Sequence, residues 1–338
     1  MIENQVSWWS MTKRLGIMVM RSFDCTVVGD VFTDIIVQIH GNCEQFFRGG
    51  TSYCSFAEAV PGGSGNVAVG LSTIGGATAF VGKAGHDFFG NLYVQNLEEK
   101  GVISRIFFDE YSPTGLIIAL VEDGKQRSFL VFRGANDRLS PDEIEKATSL
   151  IKRSNYIYFS GYSLVNDPQR NAIFRAVNLA KKFKTKIVFD PGASNLVKSE
   201  NRLFTELSDL CDVFSPNLDE ARAITNATSI DDVVSKLRKK VPFTALKRDE
   251  NGCILINKEG AVSVPSYNVR CVDPTGAGDA FTAAVIYGLS RGLPLQTIGQ
   301  LANWFAAEVV AGIGPRSFPE KSRINRFLES HREARSVD

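Results

Sequence analysis

Histidine is scarce in this chain. His40, His86 and His331 are the only three, which weighs against a zinc centre or a Ser-His-Asp arrangement. The six cysteines are scattered with no Cys-x-x-Cys pair, so they read as reduced thiols of a cytoplasmic protein. No apolar run approaches the roughly 18 to 20 residues of a membrane span. The N-terminal stretch also lacks the apolar core and cleavage pattern of a secretion signal. Charge of one sign is missing too: 38 Lys and Arg stand against 37 Asp and Glu. No global field is left to hold nucleic acid or an anionic membrane, so an anionic ligand must be gripped locally, in a pocket. A Walker A sequence is absent, since Gly76 to Lys83 has the wrong spacing and Ala84 stands where a magnesium-binding hydroxyl belongs.

What is present is a chain of 338 residues, 44% of them hydrophobic, enough for a substantial core. Short β-branched or aromatic runs such as Cys25 to Val28, Tyr156 to Phe159 and Lys186 to Phe189 alternate with helical segments such as Phe88 to Lys100, Pro141 to Arg153 and Leu295 to Val310. That alternation predicts an α/β fold with a parallel sheet covered by helices. Residues 35–60 and 115–132 break the rhythm and read as hairpin strands that could pair as a small accessory sheet, with the job of a lid. The expected organisation is an appendage over 1–21, whose start codon could equally be a later Met, one domain over 22–330 with its lid inserted, and a tail over 331–338.

The chemistry concentrates in Asp273-Pro274-Thr275-Gly276-Ala277-Gly278-Asp279-Ala280-Phe281. Three small residues let consecutive N–H groups converge at a helix start, which makes a cradle for negative oxygen. The helix that follows is apolar on nearly every face and is expected to be buried, with Asp279 its only carboxylate. Alone, Asp279 reads first as a helix cap.

Three segments in order give it company: Gly62-Gly63-Ser64-Gly65-Asn66 with Gly75-Gly76, then Gly82 to Asp87, then Asp273 to Phe281. Together they resemble the ribokinase-like carbohydrate kinases of the PfkB family, from about Phe23 to the final helix. The resemblance implies a three-layer α/β/α domain with a β-sheet lid, transferring the γ-phosphate of ATP with Mg2+ to a hydroxyl of a sugar or nucleoside. It implies that Asp279 is the general base and that Gly276, Ala277 and Gly278 form the anion hole. Asn217 and Glu220, in Ser215-Pro216-Asn217-Leu218-Asp219-Glu220, match the element that organises Mg2+ through water.

For the acceptor, Asp34 matches the acid that ends the family's first strand, and Gly62, Gly63 and Asn66 match the signature lining the same pocket. The spacing from Gly62 to Asn66 is one residue shorter than usual. Arg133 stands where substrate contacts occur, and its planar fork would suit an anionic sugar. Lys247 and Gly252 fall in the nucleotide loop, where Asp249 replaces a usual glycine, and Asn303, Gly312 and Gly314 resemble the adenine-side wall. Asp273 occupies the place that in some relatives serves a monovalent cation such as K+. A nucleoside kinase of the same fold remains an alternative, with Phe46, Phe47 or Tyr53 stacking on a base. A ligand-binding protein with a retired kinase site remains another. Unpaired lid edges predict a homodimer through the lid.

Overall fold

The computed structural model describes residues 21–39, 51, 53–122 and 127–333. The appendage, apart from Arg21, lies outside them, as do Phe46 and Phe47. In chain order the first strands are β1 (Phe23–Val28), β2 (Val31–Ile39), β3 (Cys54–Gly63), β4 (Thr78–Gly85), β5 (Ile103–Asp109), β6 (Gly115–Val121) and β7 (Arg127–Phe132). They are followed by β8 (Ser154–Ser160), β9 (Lys186–Asp190), β10 (Val213–Phe214), β11 (Phe243–Lys247), β12 (Cys253–Asn257) and β13 (Ala261–Val264).

Nine of these strands form one sheet in the order β13-β12-β11-β10-β9-β8-β1-β4-β5. Pairing is parallel from β11 across to β5, and β12 and β13 join antiparallel at one edge. The central strands are apolar on both faces. Cys25, Val27, Tyr156 and Tyr158 enter one buried cluster, while Val28, Ile157 and Phe159 enter the other. Such strands need cover on both sides, which gives three layers. The Ala277–Ser290 helix is buried from Ala280 to Gly288 and packs against the Gly65–Thr73 and Leu295–Val310 helices.

The two segments outside the alternation supply a second sheet, ordered β3-β2-β6-β7, in which β2 and β6 run parallel. Only Gly29 and Asp30 separate β1 from β2, so the chain steps directly from the large sheet into the small one. This corrects the placement of Asp34. It lies inside β2, opposite Val60 and Ile117, and the acid that follows the first strand is Asp30. Two further corrections concern helices. The run 141–153 splits into Pro141–Lys146 and Thr148–Lys152, where hydrogen bonds tighten to i,i+3 around Ala147. The last helix, Lys321–Glu333, continues three residues into the expected tail. Strands β5 and β13 and the Asn201–Leu210 and Ile230–Lys240 helices were not anticipated. Among the described residues, no helix is long and apolar enough to cross a membrane.

Candidate active site

Strands β1, β8, β9 and β11 end on one side of the large sheet, and Asp30, Ser160, Asp190 and Lys247 at or just past those ends line a cavity of about 1230 Å³ roofed by the small sheet. The Gly276-Ala277-Gly278 turn and Asp279 open into it. Gly276 has φ +81°, and a Cβ there would stand 2.4 Å from the Pro315 carbonyl oxygen, so only glycine fits on both counts. A Cβ on Gly278 would meet nothing nearer than Lys247 Nζ at 3.7 Å. The backbone of the helix start is therefore open to a ligand, with an amine beside it.

Asp279 Oδ2 accepts from Asn66 Nδ2 at 3.0 Å, so the shortened Gly62–Asn66 spacing still delivers the amide to the acid. Burial raises the Asp279 pKa to about 6, with Asp190 adding to the rise while the Asn66 bond, Lys247 and Arg316 oppose it. Asp34 is buried at 7% exposure, and its Oδ1 has no hydrogen-bond partner among the described residues. Burial raises its pKa to about 7 against the pull of Arg316. A Cβ on Gly62 would fall 2.3 Å from Asp34 Oδ2, so Gly62 stands behind the acid and gives it room, without lining the cavity. Gly63 and Asn66 do line it. Arg133 lines it as well, but its charge is already met: its guanidinium donates to Asp30 Oδ1 at 2.9 Å and to Asp137. Phe32, Ile36, Ile117, Phe129 and Val131 make the roof apolar.

At the other side, Lys247 Nζ donates to Asp190 Oδ2 at 2.7 Å. Burial presses the Lys247 pKa down, yet Asp190 and Glu220 hold it above its ordinary value. Asn217 and Glu220 close a reciprocal capping box on the Leu218–Thr225 helix, and both line the cavity. The bond made by Glu220 uses Oε2. Glu220 is 1% exposed, and burial raises its pKa to about 7 against the pull of Lys247. Asp249 has φ +49°, the left-handed region glycine adopts readily, and its exposed side chain sits on the cavity rim. Gly252 and Asn303 also line the wall, and Asn303 Nδ2 donates to the carbonyls of Val264 and Pro265 at 3.1 and 2.9 Å. Gly312 and Gly314 are not among the residues that line the cavity. Asp273 accepts from the N–H groups of Thr275 at 2.8 Å and Gly314 at 2.9 Å. No cluster of three or more His, Cys, Asp or Glu suited to a metal occurs among the described residues.

Three residues of the site were missed in the sequence. Asp190 and Asp30 end or follow parallel strands, a position that by itself signals a ligand crevice. Arg316 was overlooked although a lone arginine between Pro315 and Phe318 departs from its apolar surroundings.

The sequence profile of the pfkB family carbohydrate kinases matches residues 24–322. Fructokinase-1 of Oryza sativa subsp. japonica is 31% identical over 239 residues, covering 69% of this chain and 74% of the relative. An uncharacterised sugar kinase from Pyrococcus horikoshii in complex with ATP superposes with a TM-score of 0.76 at 26% identity, covering 91% of this chain and 99% of that one. The adenosine kinase of Sinorhizobium meliloti shares the fold with a TM-score of 0.81 at 24% identity, over 90% and 99% of the two chains.

Proposed function

The chain belongs to the pfkB family of carbohydrate kinases, phosphotransferases with an alcohol as acceptor, and from that premise we propose that Asp279 is the general base of γ-phosphate transfer from ATP to a neutral sugar hydroxyl. The observation that carries the reading is the pairing of Asp279 with Asn66 in the open cavity, beside the Gly276–Gly278 turn. The acceptor oxygen attacks the γ-phosphorus as its proton passes to Asp279, the bond to the β-phosphate bridging oxygen breaks, and ADP leaves with that electron pair. N–H groups of the Gly276–Gly278 turn stabilise the charge on the transferring oxygens, with the Lys247 amine, itself paired with Asp190, beside them. The open backbone at Gly278 fits a triphosphate.

Asn217 and Glu220 fit a hydrated cation, because both line the cavity and the capping bond of Glu220 uses Oε2. Mg2+ held there with ATP would neutralise phosphate oxygens. K+ beside Asp273 belongs to the same reading, and turnover in KCl against NaCl tests it. The wall residues Lys247, Gly252 and Asn303 would flank the nucleotide, and Gly314, which donates to Asp273, with Gly312 two residues before it, would shape the adjoining turn.

Asp34, with its unpartnered buried oxygen, would accept from acceptor hydroxyls, since each sugar O–H is a donor a carboxylate can satisfy. Arg133, paired with Asp30 and Asp137, has little charge left for a sugar acid, so a neutral sugar is favoured over an anionic one. The apolar roof favours a second reading, in which a nucleoside base packs under Phe129. Cys25, Cys54, Cys211 and Cys253 are free thiols, which suits a reducing cytoplasm.

The test is ADP release from ATP and Mg2+ with D-fructose, D-ribose, 2-keto-3-deoxygluconate, inositols and adenosine, with Asp279→Asn as control. Acceptor-dependent ADP release that falls about 10³-fold or more in the variant is expected. Undiminished turnover by Asp279→Asn would reject the assignment.

A further inference from the structure

One guanidinium touches several parts of the site at once. Arg316 stands in the loop between the Leu295–Val310 and Lys321–Glu333 helices. Its Nε donates to Asn66 Oδ1 at 2.9 Å. One terminal nitrogen donates to Asn96 Oδ1, and the other reaches the Gly62 carbonyl oxygen at 3.4 Å. Its plane lies over the Tyr93 ring at 5.5 Å. With the Asn66 amide oxygen committed to Arg316, the amide nitrogen faces Asp279 Oδ2 at 3.0 Å. A reversed amide would set its oxygen against a carboxylate oxygen, two acceptors face to face.

The same loop is pinned to the anion-hole turn. Gly314 donates to Asp273 Oδ2 at 2.9 Å, and the Pro315 carbonyl abuts Gly276. Residues 314–316 thus meet the turn, the donor to the acid, and the end of β3 where the small sheet joins the body.

We infer that Arg316 is a positioning residue, which acts through Asn66 to orient Asp279 as proton acceptor and through the Gly62 carbonyl ties the end of β3 to the same point. The inference rests on the reading of Asp279 as the base. Electrostatics support it: Arg316, Lys247 and the Asn66 bond favour the ionised acid, while burial and Asp190 oppose it. Asp34, Tyr158 and Tyr162 complete the titratable groups that feel the Asp279 charge. A lysine at 316 would keep the charge but could not span Asn66, Asn96 and Gly62 from one plane.

The test is a cycle of Arg316→Met, Asn66→Ala and the double variant. It is read as kcat and KM for ADP release with ATP, Mg2+ and D-fructose, D-ribose or adenosine as probe. A second readout is the ¹³C signal of the Asp279 carboxyl against pH in the free protein, assigned by its loss in Asp279→Asn. Each single variant is expected to lower kcat tens of fold, to move the acceptor KM by less than about 3-fold, and to raise the Asp279 midpoint. The double variant is expected to be no worse than Asn66→Ala, and Arg316→Lys to restore only part of kcat.

Losses that multiply in the double variant, or that fall on KM alone, overturn the inference. Should Arg316→Met fail to fold, Arg316→Lys takes its place in the cycle with the same reading. Where none of the three acceptors turns over, the carboxyl titration decides. An Asp279→Asn variant with full turnover rejects the base itself. An inactive Asp279→Asn variant with a multiplicative cycle rejects only the role of Arg316.

Discussion

The amide of Asn66 donates to Asp279 Oδ2 at 3.0 Å, joining the first turn of the helix after β3 to the first turn of the Ala277–Ser290 helix across 213 residues of sequence. The contact holds the acid at the cavity and lowers a proton affinity that burial raises.

Activity should follow that affinity. A carboxylate serves as base only when ionised, and Asp279 is raised to about 6 and Asp34 to about 7. As pH falls, kcat/KM for the acceptor is expected to drop through about 7 and kcat through about 6. A profile flat down to pH 5, as an acid with the ordinary value of 3.8 would give, contradicts these environments.

Asp34 should trade stability for binding. Its folded pKa lies above the ordinary 3.8, so the ionised acid disfavours the folded state. That penalty is full above pH about 7 and vanishes towards pH 4. Asp34→Asn is therefore expected to melt several degrees higher at pH 8, with the gain shrinking on acidification, while the acceptor KM rises at least tenfold. Melting curves at pH 8 and pH 5 check the sign.

Two glycines in one turn should respond differently to a methyl group. Gly276→Ala meets both a positive φ and the Pro315 carbonyl, and a lower melting temperature with little remaining activity is expected. Gly278→Ala has open space before it and should fold normally while KM for ATP rises or kcat falls at least tenfold. Equal melting temperatures for the two variants would argue against this turn geometry.

The roof formed by the small sheet should restrain ATP hydrolysis. If acceptor binding draws it closed and excludes water, ADP release without acceptor will be a small fraction of that with it. Equal rates would remove the lid from the mechanism.

The small sheet should also join two copies. Leu130 and Phe132 on its edge strand β7, outside the cavity lining, are each more than half exposed, on a strand edge unpaired among the described residues and of the kind that seeks a partner. Light scattering at micromolar concentration is expected to give a dimer, and Leu130→Lys with Phe132→Lys a monomer.

Much of this was readable from residues alone. The buried helix after Asp279 announced itself by its run of small and apolar side chains, and the central strands by their β-branched and aromatic runs. Asp34 was misplaced because β1 and β2 follow one another with only Gly29-Asp30 between them, a break too short to mark the step between sheets. Arg133 looked available because its two acids lie 103 residues upstream and four residues downstream, and only the fold brings the distant one near. Arg316 escaped because its partners, Asn66 and Asn96, are more than 200 residues away, and no local pattern encodes a contact of that span.

The small sheet leaves and rejoins the body at four places, with two residues between β1 and β2, one between β3 and the next helix, five between β5 and β6, and one after β7. Such short straps at four corners permit a shallow rocking and forbid a wide swing. They also mean that borrowing the acceptor preference of a relative requires two cassettes, 31–63 and 115–132, transplanted as a matched set, because neither is a complete sheet without the other.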